Sequence, residues 1–424
     1  MLIKAKQAAD HVGEEVTVRG WVYRHRSTKE VVFIILRDSS GILQCTVKKD
    51  SPFYEQADKL SIESSVVLTG TIVEDKRAPT GYELKVKEMK VVHLAERFPI
   101  TKDQSYEFLL DNRHLWLRSR KMTSVLKVRS TVFRAIHDFF RGKGYYEFHS
   151  PIFTPAAAEG GSTLFEVNYF GKKVYLSQTW QLYAEAAIFA LEKIYTIAPS
   201  FRAEKSSTSR HLTEYWHAEM EAAWMDFEEL QKEAEELISF ICRRVLDEDK
   251  EELEFLGADV EKLSKIKPPF PRITYDEALE KLSELGVKVP YGKDLRTIEE
   301  KKLTELYEKP LIVTHYPKEI KAFYMKEDPE DPSKVLGFDM LVPKVGEIIG
   351  ASERETDVKK LEQRLLAQGE KLENYKFYLD TRRYGSVPHS GFGLGVERVI
   401  MWLCDLDNIK DAIAFPRTPE RYYP

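Results

Sequence analysis

Five short runs of β-forming residues, separated by turn residues, lie within the first 93 positions, and this pattern constrains the fold more than any other feature of the chain. The runs are Glu15–Arg24, Val31–Arg37, Ile42–Lys48, Ser65–Val73 and Tyr82–His93. One stretch of helical character, Pro52–Ile62, lies between the third and the fourth run. This order predicts a five-stranded Greek-key barrel of the OB type, a fold that often binds single-stranded nucleic acid.

A larger unit with mixed helices and strands follows the barrel. Apolar residues at helical spacing from Val125 to Phe139 predict a helix. A short strand at Tyr145–Ser150 follows the helix, and Pro151 comes directly after the strand. Further strands are predicted at Ile194–Arg202, Glu214–Trp224, Leu311–Tyr316, Val335–Val342 and Glu347–Ser352, and helices at Gln178–Leu191, Phe227–Leu263 and from Val396 onward. Strands joined by hairpins, with helices outside them, predict an α+β domain built on a mainly antiparallel sheet. We therefore expect a barrel at residues 1–99, a linker at 100–112 and a second domain at 113–424, in which the region 247–309 is an insertion without diagnostic motifs.

Charge and composition limit what the chain can bind. Its 64 Lys and Arg against 69 Asp and Glu give a net charge of −5, which excludes a histone-like polycation, so contact with nucleic acid should be local. The three cysteines, Cys45, Cys242 and Cys404, form no CxxC pair, which argues against a disulfide framework or a zinc ribbon. No apolar run approaches the roughly 18 residues of a membrane helix, and the first residues lack the apolar core of a signal peptide, so we expect a cytoplasmic protein.

The hairpin predicted around residues 194–224 carries side chains suited to phosphate. Its first strand ends in Phe-Arg-Ala-Glu at 201–204, and Arg210 and His211 lie in the loop that follows. Arginine forks recognise phosphate oxygens, so the hairpin is a candidate nucleotide site. A surface ion pair between Arg202 and Glu204 explains the same residues without a ligand.

Two further segments carry candidate residues. The sequence Gly-Phe-Gly-Leu-Gly-Val-Glu-Arg at 391–398 lets a ligand approach the backbone, and Arg398 can stack on an aromatic ring or contact a phosphate. Its spacing is neither GxGxxG nor GxxxxGK[ST], and a glycine-rich strand that packs tightly on its sheet is the alternative. In the run from Glu347 to Arg354, alternation places Glu347 on the same face as Ile349 and Ala351. That carboxylate can hold Mg²⁺ on a triphosphate while Arg354 contacts the substrate, or both can belong to edge-strand ion pairs.

Together, the helix–strand–proline element, the hairpin and the glycine-rich segment resemble the three signature motifs of the class II aminoacyl-tRNA synthetases in order and spacing. Glu-Gly-Gly at 159–161, the Gln178 and Gln-Leu-Tyr 181–183 pattern, the hairpin and residues 384–398 resemble the aspartyl/asparaginyl subgroup, most closely the asparaginyl-tRNA synthetases of archaeal type. The barrel is similar to the anticodon-binding domain of that subgroup, so the resemblance covers nearly the whole chain.

The resemblance implies ATP-dependent attachment of L-asparagine to tRNA(Asn) through asparaginyl-adenylate, with release of AMP and pyrophosphate, by a homodimer that uses Mg²⁺. It implies Arg202, Glu347 and Arg398 as catalytic residues, with Mg²⁺ on Glu347. ATP would be bound by Arg202, Glu204, Arg210, His211, Leu212, Tyr215, Glu347, Gly395 and Arg398. The amino acid would contact Glu159, Gln178, Gln181, Ala184, Glu219 and Arg354, and the tRNA anticodon would contact Arg26, Phe33 and Gln44.

The charge of the amino-acid pocket separates asparagine from aspartate. Aspartyl enzymes typically carry a lysine after Gln-Leu-Tyr, whereas this chain has Ala184. Glu219 would accept a hydrogen bond from the carboxamide NH₂, and Arg354 would donate to its oxygen, which predicts asparagine as the substrate. Ala184 can also be a helix residue without such a role, in which case unseen contacts would keep aspartate specificity.

Other interpretations remain at this stage. They are an aspartyl-tRNA synthetase of relaxed specificity, an asparagine synthetase-like paralogue that uses aspartyl-adenylate and ammonia, and a tRNA- or single-strand-binding protein with an inactive catalytic domain. Phe33 can also belong to the barrel core instead of stacking on a base, because it shares a strand face with Val31 and Ile35.

Overall fold

A computed structural model describes residues 1–155, 158, 163–205 and 208–424. The chain divides into two compact units, Met1–Leu109 and Leu110–Pro424, each with a hydrophobic core of its own. The boundary between the units falls within the segment 100–112 that the sequence predicts as a linker.

The first unit is a closed five-stranded barrel with the strand order β1-β2-β3-β5-β4, as predicted. Its elements are β1 (Glu15–Ser27), β2 (Val31–Arg37), β3 (Ile42–Lys48), α1 (Tyr54–Asp58), β4 (Ser65–Glu74) and β5 (Tyr82–His93), and a 3-10 helix at Ala5–His11 precedes them. Val32, Ile34 and Leu36 are fully buried in the core, while Phe33 between them is half-buried on the outer face. The assignment of Phe33 to the barrel core is therefore wrong.

The second unit combines an eight-stranded sheet, a three-stranded sheet and the remaining helices. Its helices are α2 (Tyr106–Asp111, which begins just before the boundary), α3 (Arg113–Trp116), α4 (Arg120–Gly142), α5 (Gln181–Leu191), α6 (Phe227–Leu256), α7 (Val260–Ser264), α8 (Tyr275–Glu284), α9 (Thr297–Thr304), α10 (Val358–Ala367), α11 (Lys376–Arg383) and α12 (Val396–Leu403). Its strands are β6 (Tyr146–Glu147), β7 (Phe153–Thr154), β8 (Glu166–Tyr169), β9 (Lys172–Leu176), β10 (Lys193–Phe201), β11 (Glu214–Ala223), β12 (Arg272–Thr274), β13 (Leu311–Thr314), β14 (Gly337–Val342), β15 (Gly346–Glu353) and β16 (His389–Gly395). Short 3-10 helices lie at Lys318–Ile320, Leu372–Tyr375 and Ile409–Ala412.

The large sheet has the strand order β12-β13-β14-β15-β16-β11-β10-β6. Its central pairs are antiparallel, and only the edge pairs β12–β13 and β10–β6 are parallel. The prediction of a mainly antiparallel sheet flanked by helices is confirmed. Among the described helices, none is long and apolar enough to cross a membrane.

The two faces of this sheet differ in chemistry. On β11, Ala218, Met220 and Ala222 are buried in the same core cluster as apolar residues of α4 and α6. Because side chains alternate along a strand, His217, Glu219 and Glu221 project from the other face. The sheet thus has one apolar face that forms the core and one polar face that is available for a site.

Two sequence predictions about local geometry are wrong. One helix was expected over Phe227–Leu263, but Gly257 adopts a left-handed φ of +88° and ends α6, so α7 is a separate helix. On β15, Met340 pairs with Ile349 and Leu341 pairs with Glu347, which leaves Ile348 as the extra residue of a β-bulge. The bulge moves Glu347 to the polar face, whereas simple alternation placed it with Ile349 and Ala351 on what is the core face.

Candidate active site

A cavity opens on the polar face, where β10, the hairpin loop, β11, β15 and α12 meet. Its lining includes all nine residues that were predicted to contact ATP, namely Arg202, Glu204, Arg210, His211, Leu212, Tyr215, Glu347, Gly395 and Arg398. The fold therefore brings these residues, nearly 200 positions apart in sequence, to one place.

Three arginines and three glutamates line this cavity, and Arg398 is paired with Glu347. The Arg398 guanidinium donates to the Glu347 backbone oxygen at 2.8 Å and lies 3.3 Å from its carboxylate. Burial alone would disfavour ionisation of Glu347, but the charges of Arg398, Lys321 and Arg202 outweigh it and hold the pKa of that carboxyl below its ordinary value. Glu347 is therefore ionised at neutral pH.

His211 acts in this cavity as a neutral ring. Burial, reinforced by the charge of Arg398, lowers the pKa of His211 below its ordinary value. At neutral pH the ring can donate or accept one hydrogen bond without adding charge. Arg202 lies 5.9 Å from the centre of the Tyr215 ring, so a cation and an aromatic face stand side by side.

Arg210 lines the cavity but has other partners. Its guanidinium donates to the Glu300 carboxylate at 2.6 Å, to the Val345 backbone oxygen at 2.5 Å and to the Thr297 hydroxyl. A direct contact between Arg210 and phosphate stays a prediction, because these bonds occupy much of the guanidinium.

A second cavity adjoins the first one and shares Arg202, His217, Glu347 and Gly393 with it. The start of α5 contributes Gln181, β11 contributes Glu219 and Glu221, and the end of β15 leads to Arg354. Two ligands can therefore be held in contact, with Arg202 and Glu347 at the boundary between them.

Arg354 is paired with Glu221, a residue that the sequence analysis missed. Two hydrogen bonds of 2.9 and 3.0 Å join the guanidinium to both oxygens of Glu221, and the two side chains are only 4% and 1% exposed. A Cβ atom at Gly391 would lie 2.0 Å from Glu221 Oε2, so this glycine is needed to make room for the carboxylate. The sequence could have indicated Glu221, because it lies two residues after Glu219 and therefore on the same face of β11.

The other predicted amino-acid contacts lie around this pair. Glu219 accepts hydrogen bonds from the Thr179 hydroxyl and, at 2.9 Å, from the Trp180 backbone nitrogen, so it holds the start of α5. Gln178 is buried and donates to the Thr163 hydroxyl at 2.7 Å, and it does not line the second cavity. Ala184 is fully buried in an apolar cluster with Trp180.

Glu159 lies outside the described residues. Its predicted contact with the amino acid therefore stays a prediction.

Behind Arg354 lies a buried polar network centred on Glu185, also missed from sequence. Glu185 accepts from Gln181 at 2.8 Å, from Tyr378 at 2.9 Å and from Arg382, and it lies 2.9 Å from His389 Nε2. Burial opposes its ionisation, but Arg382 and His389 outweigh burial and lower the pKa of Glu185 well below its usual range.

The charges in this network balance. Donor atoms of Glu185, Glu221 and His389 lie within 4.8 Å of one another, a spacing that a metal ion could bridge. The guanidiniums of Arg354 and Arg382 already neutralise the two carboxylates, and Glu185, Glu221 and His389 are at most 1% exposed, so this cluster is closed to a cation.

A better donor set for a metal is formed by Glu347 and Asp339. An atom placed at the Cβ position of Gly350 would lie 3.1 Å from Glu347 Oε1 and 3.8 Å from Asp339 Oδ1, so the two carboxylates converge. Burial, together with the charge of Glu347, raises the pKa of Asp339 to about 7 against the opposing charge of Lys321, which lies 2.7 Å away. Carboxylate oxygens are the ligands that Mg²⁺ prefers, so this pair could hold the ion at the edge of both cavities.

The barrel carries the three predicted anticodon residues on neighbouring strands. Arg26 is exposed and is paired with Phe33 in the β1–β2 register. Gln44, on β3, donates to Glu83 at 2.7 Å, and Thr46 donates to the same carboxylate at 2.9 Å. Glu83, which was not predicted, thus orients the Gln44 amide on the outer face.

Comparison with known proteins shows which family the chain belongs to. A family model described as tRNA synthetases class II (D, K and N) matches residues 105–419, and a model of the OB-fold nucleic acid binding domain matches residues 16–92. The asparagine–tRNA ligase of Thermoplasma acidophilum is 52% identical over 98% of this chain and 97% of its own length. The asparagine–tRNA ligase of Thermococcus kodakarensis is 53% identical over 97% of this chain and 96% of its own length.

Solved structures lead to the same group. The crystal structure of asparaginyl-tRNA synthetase from Pyrococcus horikoshii, complexed with asparaginyl-adenylate, matches with a TM-score of 0.97 and 48% identity, covering 100% of this chain and 99% of that one. The chain therefore belongs to the class II tRNA synthetases and, within them, to the asparaginyl-tRNA synthetases, which attach asparagine to tRNA through an asparaginyl-adenylate.

Proposed function

We propose that the first cavity binds ATP and the second binds asparagine, so that the amino-acid carboxylate meets the α-phosphate at their boundary. The observation that carries this assignment is that Arg202 and Glu347 line both cavities. A carboxylate oxygen attacks the α-phosphorus, the bond to the β-phosphate oxygen breaks, and pyrophosphate leaves. Catalysis is then mainly positioning and charge stabilisation, with Arg202 neutralising the charge that builds on the α-phosphate.

The remaining ATP contacts follow from the lining of the first cavity. Tyr215 stacks on adenine, Glu204 accepts from its exocyclic amine, and His211 and Arg398 hold the β- and γ-phosphates. Leu212 and Gly395 complete the walls of the cavity.

Mg²⁺ fits the converging carboxylates of Glu347 and Asp339. When bound there, the ion would neutralise phosphate charge as pyrophosphate leaves. Lys321 supplies a positive charge beside Asp339, and Arg398 supplies one beside Glu347, so the two carboxylates are not left unbalanced.

The paired side chains Arg354 and Glu221 read the carboxamide of asparagine. Arg354 donates to the amide oxygen, and Glu221 accepts from the amide NH₂, with Glu219 adding a second negative charge in the same cavity. A neutral pair offers no net positive charge to an aspartate carboxylate, and no lysine stands at Ala184 to supply one. Discrimination against aspartate then comes from buried polar groups that the acid leaves unpaired.

In the second step, the terminal ribose hydroxyl of tRNA attacks the adenylate carbonyl, and AMP leaves. The outer face of the barrel binds the anticodon, with Phe33 stacking on an unpaired base and Gln44 pairing with a base edge. Because its partner is tRNA, we place the enzyme in the cytoplasm.

We also propose a homodimer formed through α4 and the strand that follows it. Apolar side chains near β6 and β7 are exposed in the single chain, among them Tyr146, Ile152 and Phe153. A second copy that covers them would remove apolar surface from water. Sedimentation should give twice the mass of one chain, and the mass of one chain would contradict the dimer.

The experiment that tests the function is ATP–pyrophosphate exchange with each amino acid. Exchange that depends on asparagine and Mg²⁺ and is weak with aspartate is expected. Equal exchange with both amino acids would indicate an aspartyl enzyme of relaxed specificity. Formation of free asparagine from aspartate, ATP and ammonia would indicate the amidating paralogue.

A further inference from the structure

We infer that Glu300, in the region 247–309, is a positioning residue of the nucleotide cavity that acts through Arg210. The inference rests on the proposed function only in that it takes the first cavity as the ATP site. The region carries no recognisable motif, yet α9 within it reaches the wall of this cavity.

The junction between Glu300 and Arg210 is buried and well connected. The side chains are 9% and 10% exposed, and their charged groups lie 2.6 Å apart. The same guanidinium donates to the Val345 backbone oxygen at 2.5 Å and to the Thr297 hydroxyl on α9. A single side chain therefore joins the hairpin loop, α9 and the turn between β14 and β15.

Each of these attachments is next to a residue of the ATP site. Arg210 directly precedes His211, and Val345 and Gly346 directly precede Glu347. Gly346 has a φ of +84°, and a Cβ atom there would lie 2.2 Å from Glu300 and 2.3 Å from Arg210. The turn can approach the ion pair this closely only because residue 346 is a glycine.

The geometry favours a positioning role for Arg210 over a direct contact with phosphate. Its Nη atoms donate to Glu300, Val345 and Thr297, and its Nε is buried with no hydrogen-bond partner among the described residues. Glu300 neutralises its charge, so Arg210 adds little field for a triphosphate. What it supplies is a fixed location for His211 on one side and Glu347 on the other.

The test is steady-state ATP–pyrophosphate exchange with Glu300→Gln, Arg210→Lys and the double variant. Each single variant should raise the KM for ATP about tenfold while the KM for asparagine stays within about twofold, because misplacing His211 and Glu347 weakens triphosphate binding. The double variant should lose no more than the worse single variant, because both changes break one junction.

Glu299→Gln is the matched control. Glu299 is the neighbouring residue on α9, is also buried, and bonds to Arg296 at the helix start without touching Arg210. It should leave the KM for ATP within about twofold, which separates loss of the junction from weakening of α9.

Three outcomes would overturn the inference. A KM for ATP within twofold of wild type in Glu300→Gln would show that the junction does not position the site. A much larger loss in Arg210→Lys than in Glu300→Gln, with additive effects, would mean that Arg210 binds phosphate directly. Equal effects of Glu299→Gln and Glu300→Gln would mean general destabilisation of α9. Absence of exchange in the wild-type protein would instead count against the proposed function.

Discussion

Replacing Glu221 with glutamine should move the amino-acid preference from asparagine toward aspartate. The change keeps the size of the side chain but removes the negative charge that pairs with Arg354 through bonds of 2.9 and 3.0 Å. The glutamine NH₂ would face a guanidinium donor, so only one of the two bonds can re-form. Arg354 then keeps only Glu185 as a counter-charge, which lies 4.0 Å away and is shared with Arg382, and it lies next to the cavity that we assign to the substrate side chain.

The size of the shift follows from this geometry. With the charge centres about 4 Å apart and an effective dielectric constant of about 20, the attraction lost is about 4 kcal/mol. An aspartate carboxylate can regain most of it by approaching the Arg354 guanidinium from the cavity, while asparagine loses its acceptor at a cost of about 1–3 kcal/mol. Since about 1.4 kcal/mol corresponds to a factor of ten, the ratio of kcat/KM for asparagine over aspartate should fall about 10³-fold or more.

The assay is ATP–pyrophosphate exchange with both amino acids, measured beside Glu219→Gln. Glu219 lies in the same cavity but holds the start of α5, so its loss should weaken both substrates and change their ratio less. A ratio within threefold of wild type in Glu221→Gln would refute this reasoning. If Glu219→Gln shifts the asparagine-to-aspartate ratio of kcat/KM more than Glu221→Gln does, Glu219 is the residue that binds the carboxamide NH₂.

Three further predictions concern the phosphate, the metal and the anticodon. Arg202→Ala should abolish adenylate formation, because the lost charge acts on the α-phosphate. The affinity for tRNA, measured by filter binding, should stay within about twofold. Retained ATP–pyrophosphate exchange would disprove the role of Arg202 at the α-phosphate. Asp339 has a pKa of about 7 and must lose its proton to bind a metal. Lowering the pH from about 8 to about 6 should therefore raise the Mg²⁺ concentration for half-maximal exchange about tenfold. Asp339→Asn should remove this pH dependence, and an unchanged dependence would exclude Asp339 as a ligand. Phe33→Ala should weaken tRNA binding by about 1–3 kcal/mol, or roughly 5–150-fold, without slowing exchange, as expected for a ring on the outer face of the barrel; equal loss of both would contradict stacking.

Local patterns in the sequence were enough to predict most of the elements. The strands Val31–Arg37, Ile42–Lys48 and Tyr82–His93 have the bounds that were expected, because a β-branched run or an alternation of apolar and polar residues is a signal within the strand itself. The residues that line the first cavity were also singled out from the sequence, through the resemblance of their segments to the class II aminoacyl-tRNA synthetases.

The parts that sequence did not reveal depend on contacts between distant positions. Arg354 pairs with Glu221 at a separation of 133 residues, and Arg382 pairs with Glu185 at a separation of 197 residues. Neither carboxylate stands in a motif that marks it as a partner of an arginine. The β-bulge at Ile348 was invisible for a related reason, since it exists only in the pairing of β15 with β14.

Charging of tRNA(Asn) with radiolabelled asparagine and aspartate, side by side under identical conditions, tests most directly whether the neutral Arg354–Glu221 pair selects a carboxamide. Formation of asparaginyl-tRNA, with aspartyl-tRNA formed at least about 10³-fold more slowly at equal amino-acid concentration, is the predicted result. Aspartyl-tRNA formed at a rate similar to that of asparaginyl-tRNA would contradict it.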